Sequence, residues 1–267
     1  MDNNFNPYDY WQTRLSKKNN LEGVGYSALG MTFNIWAYKT RKFSFKLNLE
    51  RLGINLKGKK VADIGAGSGF WINTYKELGA ESITGADLTD AAVENLKNTF
   101  PYATFVKADI GETEIPAGLE KQGYDVVSCM DVLFHIVDDQ RFAQAVSNIA
   151  GLVKPGGYFI YSDMFLKNNR TVRVTHQVMH SEEFLLDLFK KSGLEVVARK
   201  PFLYLSNTPV NNSNIFIKGY WFVIYNTLRY LKFMGYILGP LTYAIEKYYI
   251  KNSSFSPSTE ITILRKK

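Results

Sequence analysis

Val61-Ala62-Asp63-Ile64-Gly65-Ala66-Gly67-Ser68-Gly69-Phe70-Trp71 decides how this chain folds. A short apolar run ends on an acidic residue, three glycines follow on alternate positions, and an apolar helix begins. The pattern predicts a strand feeding a helix through a turn with almost no side chains. Glycine there tolerates positive φ and removes the Cβ, so a ligand can approach the backbone closely. The amides of the turn and of the helix N-terminus suit a polar or anionic group. The dinucleotide fingerprint places its third glycine three residues after the second. Here the third comes after two, which argues against nicotinamide binding and hence against a dehydrogenase.

Outward from this turn the pattern alternates. Strand-like runs fall at 60–64, 82–86, 104–107, 124–128, 157–162, 194–199 and 259–264, and helical segments at 69–79, 90–99, 139–151 and 181–192. Strands alternating with helices of this length predict a parallel sheet covered on both faces. Ser181 is placed to cap a helix that opens with Glu182 and Glu183, and Lys190, Lys191 and Gly193 close it. Pro155-Gly156 reads as a turn. Residues 1–57 read as an N-terminal helical cap, 58–200 as the core, 201–257 as a long helical insert, and 258–267 as the last strand of the core.

Three strand ends carry further chemistry. Thr84-Gly85-Ala86-Asp87-Leu88 puts a carboxylate at the end of the second strand, placed to accept hydrogen bonds from two ribose hydroxyls. Val106-Lys107-Ala108-Asp109-Ile110 offers a carboxylate and an apolar neighbour for an adenine amino group and ring face. The fourth strand runs Tyr124-Asp125-Val126-Val127-Ser128-Cys129-Met130-Asp131 and continues Val132-Leu133-Phe134-His135-Ile136.

This order of motifs resembles the class I S-adenosylmethionine (SAM)-dependent methyltransferases over roughly residues 55–200. The resemblance implies a Rossmann-like α/β fold: a seven-stranded, mostly parallel sheet whose last strand runs antiparallel between the fifth and sixth. It implies that Gly65, Ala66, Gly67 and Gly69 line the methionine part of SAM. Asp87 would take the ribose, with Leu88 beside it also in contact with the cofactor, Asp109 and Ile110 would flank the adenine, and Met130 would lie under the sulfonium. It implies for Asp63 a structural role, orienting the loop through backbone amides. A looser resemblance, to bacterial methyltransferases of sugars and secondary metabolites, rests on Tyr10-Trp11, Gly23-Val24-Gly25-Tyr26 and Asn34-Ile35-Trp36-Ala37-Tyr38 with Arg41. It implies that Tyr26 and Arg41 close over the cofactor, with Arg41 reaching a carboxylate. The alternative is a helix that packs its aromatics on the sheet edge.

Methyl transfer from a sulfonium is an in-line displacement in which the protein aligns the acceptor and excludes water. An oxygen acceptor of high pKa benefits from a general base, whereas an amine needs only to be neutral. The expected reaction is therefore O-methylation of a small-molecule or glycan acceptor. The alternatives are N-methylation of an amino sugar or other small amine, or a SAM-binding protein without transfer chemistry that docks to a membrane or partner. The chain has three histidines, His135, His176 and His180. His135, just past the fourth strand, is the first candidate base. His176 and His180 follow the fifth strand on a loop able to face the same pocket, and Asp163 can orient one of these rings or contact an acceptor hydroxyl. No metal is expected: Asp138-Asp139 reads as a helix N-terminus rather than a ligand pair.

The 267 residues include a single cysteine, Cys129, so no disulfide framework exists within the chain. Met1-Asp2-Asn3-Asn4-Phe5 has neither a basic nor an apolar leader region. Both point to a cytoplasmic protein. The net charge of +7 comes without a run of basic residues interleaved with stacking aromatics in residues 1–200, so no nucleic-acid partner is expected. Residues 215–251 are different: aromatics alternate with Lys218, Arg229, Lys232, Lys247 and Lys251 against one acid, Glu246. No apolar run there reaches the roughly 20 residues of a membrane span. Four readings fit this composition: a helical cap, a substrate lid, a peripheral membrane contact and a homodimer interface.

Overall fold

The computed structural model describes residues 5–167, 170–211 and 214–267. Residues 1–4 of the N-terminal segment and 212–213 of the insert therefore lie outside the description. The chain opens with helices α1 (Pro7–Lys17), α2 (Leu21–Val24) and α3 (Gly30–Arg51). Next come β1 (Lys60–Ile64), α4 (Phe70–Glu77), β2 (Ser82–Asp87), α5 (Asp90–Thr99), β3 (Thr104–Lys107) and β4 (Tyr124–Cys129). A 3-10 turn at Leu133–His135 leads to α6 (Asp139–Leu152), β5 (Val153–Asp163), β6 (Val172–Val174), β7 (Gln177–Met179), α7 (Glu182–Lys191) and β8 (Leu194–Leu203). Helices α8 (Ile215–Tyr230) and α9 (Gly235–Asn252) and strand β9 (Thr259–Lys266) complete the order.

Seven strands form one sheet in the order β3-β2-β1-β4-β5-β9-β8. The sheet is mostly parallel with one antiparallel strand, the Rossmann-like architecture expected from the sequence. The last strand, β9, lies between β5 and β8. β1 pairs in parallel with both β2 and β4, through Val61↔Ile83 and Val61↔Val126. The order reverses at β1, so the loops after β1, β2 and β4 emerge side by side at the carboxyl end of the sheet, where open α/β folds bind ligands. All of β1 after Lys60 is buried, as a strand covered on both faces requires. The core beneath these loops joins Ala62, Val127 and Phe159 of the sheet to Phe142 and Ile149 of α6 and Leu185 and Phe189 of α7.

Two local expectations change. Pro155-Gly156 is not a turn ahead of the strand, because β5 already starts at Val153. The dipeptide sits in a register shift, Tyr124 facing Val153 and Val126 facing Tyr158, with Gly156 at φ +77°. β6 and β7 were not foreseen. They form a separate two-stranded antiparallel hairpin that carries His176 in its turn.

The chain divides into two compact units, the first comprising residues 1–19, 55–198 and 262–267, the second 20–54 and 199–261. The expected cap of residues 1–57 is thus not one piece. In the first unit α1, started by Asn6 and Pro7, is held to the beginning of α5. Tyr8 Oη donates to Asp90 at 2.7 Å, and Asn19 Nδ2 donates to the Ala91 carbonyl at 3.0 Å. Asn20 then caps α2 and begins the second unit.

In the second unit α3 packs on α9 at close range. A Cβ at Gly239 would lie 2.2 Å from Trp36, and one at Gly235 3.1 Å from the Phe33 amide. Glu246 of α9 is fully buried, and its carboxylate accepts the amides of Tyr204, Leu205 and Ser206 at 2.8, 2.7 and 2.6 Å. Burial raises the pKa of this carboxyl, and the three amides oppose that rise. Glu246→Ala leaves three amide donors without acceptors, two of them buried, at about 1–3 kcal/mol for each buried one. Denaturant unfolding is therefore expected to show a loss of more than about 3 kcal/mol, partly recovered in Glu246→Gln. A loss under about 1 kcal/mol would mean that the 204–206 amides find other partners.

Candidate functional site

The glycine turn is built as its spacing demands. Gly65, Gly67 and Gly69 have φ of +77°, +53° and +81°. The amides of Gly65 and Ala66 both donate to the Ala86 carbonyl, at 2.7 and 3.0 Å, which ties the loop after β1 to the end of β2. A Cβ on Gly65 would lie 2.3 Å from Val132 Cγ2, so this loop also touches the segment after β4. Helix α4 begins at Gly69 with no side-chain cap. The α-helices that follow β2, β4, β7 and β8 have one: Thr89 caps α5, Asp138 caps α6, Ser181 caps α7 and Asn214 caps α8. Helix α4 thus opens on a glycine with no side chain set in front of its first turn, and a helix N-terminus of this kind suits carboxylate and phosphate groups.

Asp87 ends β2 against this loop. Its Oδ2 accepts the Gly67 amide at 2.9 Å, and its Oδ1 accepts the Thr89 amide and hydroxyl at 3.0 and 2.9 Å. Burial raises the pKa of Asp87, opposed by those donors. Leu88 beside it is half-buried. Asp109 accepts the Gly111 amide at 2.9 Å and forms an ion pair with Arg141 of α6. Ile110 and Met130 are both buried, each 6% exposed. Arg141 was not singled out in the sequence, and an arginine in the first turn of a helix gives no local sign of that partner.

Asp63 is placed differently from the expectation. Its Oδ1 accepts from Ser128 Oγ at 2.8 Å and from Tyr75 Oη at 3.4 Å, and the loop amides go to Ala86 and Asp87 instead. Burial pushes its carboxyl up to about 7. Asp63 therefore anchors β1 to β4 and α4 beneath the loop.

The segment after β4 bends at Asp131, whose φ of +59° is rare for a residue with a Cβ. Ser162 Oγ fixes that bend twice, accepting the Asp131 amide at 2.8 Å and donating to Asp131 Oδ1 at 2.6 Å. Asp131 escaped the sequence reading because nothing in its neighbourhood signals a left-handed backbone. His135 follows, with its Nδ1 2.8 Å from the His176 carbonyl. A carbonyl only accepts, so Nδ1 carries the proton and Nε2 keeps the lone pair. Trp11 meets the ring edge-on at 4.9 Å, and the His176 ring stacks on it at 5.9 Å. Burial lowers the His135 pKa to about 4, against the hydrogen bond to His176.

His176 and His135 are brought together, and His180 is not with them. His180 Nε2 lies 2.8 Å from Asp139 Oδ1, and the ring stacks on Phe184 and packs on Phe142. Asp139 also binds Arg173 of the hairpin, so His180 locks the hairpin to α6. Burial lowers the pKa of both His176 and His180. Asp163 is fully buried at the end of β5, with Oδ1 accepting the Met164 amide at 2.6 Å. Burial, with Asp131 adding to it, raises its carboxyl to about 7. Tyr26 and Arg41 belong to the second unit. There Tyr26 packs on Phe33 and Trp221, and the buried Arg41 guanidinium lies over the Tyr38 ring.

Residues 61–157 match the family described as "Methyltransferase domain". The match runs from β1 and its glycine turn through β4 into β5. Over these residues the chain is thus similar to a methyltransferase domain. The cofactor of such a methyltransferase is SAM. Among curated proteins, the ubiquinone biosynthesis O-methyltransferase of Coxiella burnetii is 30% identical over 139 residues, covering 52% of this chain and 56% of that protein. Its namesake in Proteus mirabilis is 33% identical over 141 residues, covering 51% and 53%. The chain thus spans about half the length of the curated relatives it matches. Magnesium protoporphyrin IX methyltransferase of Synechocystis PCC 6803, solved with bound SAM, aligns over 100% of both chains at a TM-score of 0.59 and 16% identity. A putative sarcosine dimethylglycine methyltransferase of Galdieria sulphuraria aligns over 85% of each chain at 0.57 and 15%. At these identities the two structures show a shared methyltransferase fold.

Proposed function

We propose that this protein transfers a methyl group from SAM to a hydroxyl oxygen of a small-molecule acceptor, with His135 as the general base. The observation that carries the reading is the uncapped N-terminus of α4, facing a glycine turn that the neighbouring strand end holds through Ala86 and Asp87. The residues fit the cofactor. The glycine turn and the N-terminal end of α4 would hold its carboxylate and methionine chain, and Asp87 would hold the ribose. Leu88 and Ile110 would lie against the adenine, with Asp109 near its amino group, and Met130 under the sulfonium. When bound, SAM supplies an electrophilic methyl group that needs no further activation.

The protein's contribution is then to orient the acceptor and take its proton. His135 is neutral above its lowered pKa and presents Nε2 as acceptor, while the His176 carbonyl fixes its tautomer. The oxygen acceptor is supported by the word O-methyltransferase in the names of the two curated relatives. A free sugar or glycan hydroxyl and a phenolic hydroxyl both meet this chemistry.

His135→Ala tests the assignment, with SAM affinity read by calorimetry and transfer read as S-adenosylhomocysteine released over a panel of phenols, sugars and amines. Loss of kcat by about 10²- to 10⁴-fold with an unchanged SAM dissociation constant is the expected outcome. The acid limb of kcat/KM is expected near the free-enzyme pKa of about 4, well below that of an ordinary histidine. Unchanged turnover in His135→Ala would remove His135 as base. Turnover on amines alone would move the reaction to nitrogen, and a wild type that binds SAM without transfer to any acceptor would favour a binding protein.

A further inference from the structure

We propose that the second unit docks this protein on an anionic lipid bilayer through the outer faces of α8 and α9. The inner faces of these helices are already used. Trp221, Ile224 and Leu228 of α8 pack with Phe33 and Ala37 of α3, and Gly235 and Gly239 bring α9 against Thr32 and Trp36. Helices buried on one side are ordinarily polar on the other. These two are apolar on both sides.

Among the described residues, every large hydrophobic side chain more than 60% exposed lies between Ile215 and Tyr248. Six of them are aromatic: Phe216 (82%), Phe222 (68%), Tyr230 (75%), Phe233 (63%), Tyr236 (73%) and Tyr248 (65%). At about 3.6 residues per turn, Phe216, Phe222 and Tyr230 fall within about 120° of arc on α8, and Tyr236 and Tyr248 lie about 120° apart on α9. Phe233 lies in the 3-10 turn Lys232–Met234 that joins the two helices.

The charge on this surface has one sign. The only acid between residues 214 and 252 is Glu246, which is buried on the amides of residues 204–206. Lys218, Arg229, Lys232 and Lys251 are exposed among the aromatics. A second copy of the chain seated on this face in two-fold symmetry would set basic against basic, with no exposed acid from these helices in reply. An anionic headgroup layer answers both features, taking the rings at the apolar boundary and the basic side chains at the phosphates. None of the described helices is long and apolar enough to cross a membrane, so the pair would lie in the interfacial plane.

Sedimentation of the full chain with phosphatidylcholine vesicles, and with vesicles of roughly 30% phosphatidylglycerol, tests this at about 0.1 and about 0.5 M salt. Binding to the anionic vesicles is expected, weaker by about tenfold or more on neutral ones and reduced by salt. Phe216→Ser with Phe222→Ser, and separately Phe233→Ser with Tyr236→Ser, are expected to weaken it at least about tenfold, since each removes two exposed rings that would enter the bilayer interface. These side chains face outward, so an unchanged melting temperature confirms that the variants are folded. Equal binding of variants and wild type would overturn the proposal. So would absence of the wild type from anionic vesicles, above all if it runs as a dimer that Phe222→Ser dissociates. The readout requires neither SAM nor turnover, so it stands or falls apart from the methyl-transfer assignment.

Discussion

Gly65→Ala is expected to lower SAM affinity by more than about 100-fold while leaving the protein folded. The backbone at Gly65 has φ +77°, and a left-handed residue with a Cβ costs about 1–2 kcal/mol. The larger effect is contact. The new Cβ would lie 2.3 Å from Val132 Cγ2 and 3.0 Å from Cγ1, and Val132 is followed directly by the turn that carries His135. Relief requires either the glycine turn or the segment after β4 to move. The first option breaks the bonds from Gly65 and Ala66 to the Ala86 carbonyl that hold the turn in place. Gly58→Ala is the control, because Gly58 has φ +71° with nothing within 4 Å of its Cβ position. It carries the same backbone penalty without the clash and is expected to leave SAM affinity within about threefold, since a penalty of this kind falls on stability rather than on the site. Calorimetric titration of both variants with SAM decides the matter. Near-normal affinity in Gly65→Ala would show that the turn after β1 does not hold the cofactor.

The residues that were legible in the sequence are those whose local chemistry is unambiguous. Alternate glycines after an apolar run announced the turn after β1, and the carboxylate at the end of β2 announced Asp87, because both depend on neighbours within a few positions. The helix caps at Ser181 and Asp138 were legible for the same reason. What stayed hidden depends on distant partners. Asp63 looked like a loop anchor, yet its partners are Ser128, on the neighbouring strand β4, and Tyr75, on α4. His180 looked like a catalytic candidate until Asp139, 41 positions away, took its Nε2. The hairpin β6–β7 has strands of three residues each, too short for an alternating pattern to show. The cap reads as one helical segment, yet its helices divide between units because α1 finds its partners on α5 and α3 finds its own on α9.

Asp163→Asn is expected to raise stability at pH 8 and to lower it below about pH 5, with the difference set by one buried carboxyl. Asp163 is fully buried, its Oδ1 is satisfied by the Met164 amide, and its Oδ2 has no hydrogen-bond partner among the described residues. Its pKa is raised from 3.8 to about 7, so the folded state holds a proton that the unfolded chain releases between those values. The penalty is absent below about pH 4, grows as pH rises, and is complete above pH 7, where it amounts to about 4 kcal/mol. Asparagine keeps the bond to the Met164 amide and loses the charge, but places an unpartnered N–H beside it at about 1–3 kcal/mol. The net is a gain of about 2 kcal/mol at pH 8, vanishing near pH 5 and reversing below it. Asp63 and the three histidines titrate alike in both proteins, so denaturant midpoints of the pair across pH isolate this one group. A variant less stable than wild type at pH 8 would mean that the charged carboxylate is held by a partner in the folded protein. The expected gain also bears on function, since a carboxyl that costs stability at neutral pH is retained most simply because the site uses it. Asp163 ends β5 next to Asp131 and Ser162, which shape the segment leading to His135. Asp163→Asn is accordingly expected to gain stability and lose methyl transfer together, with SAM affinity unchanged.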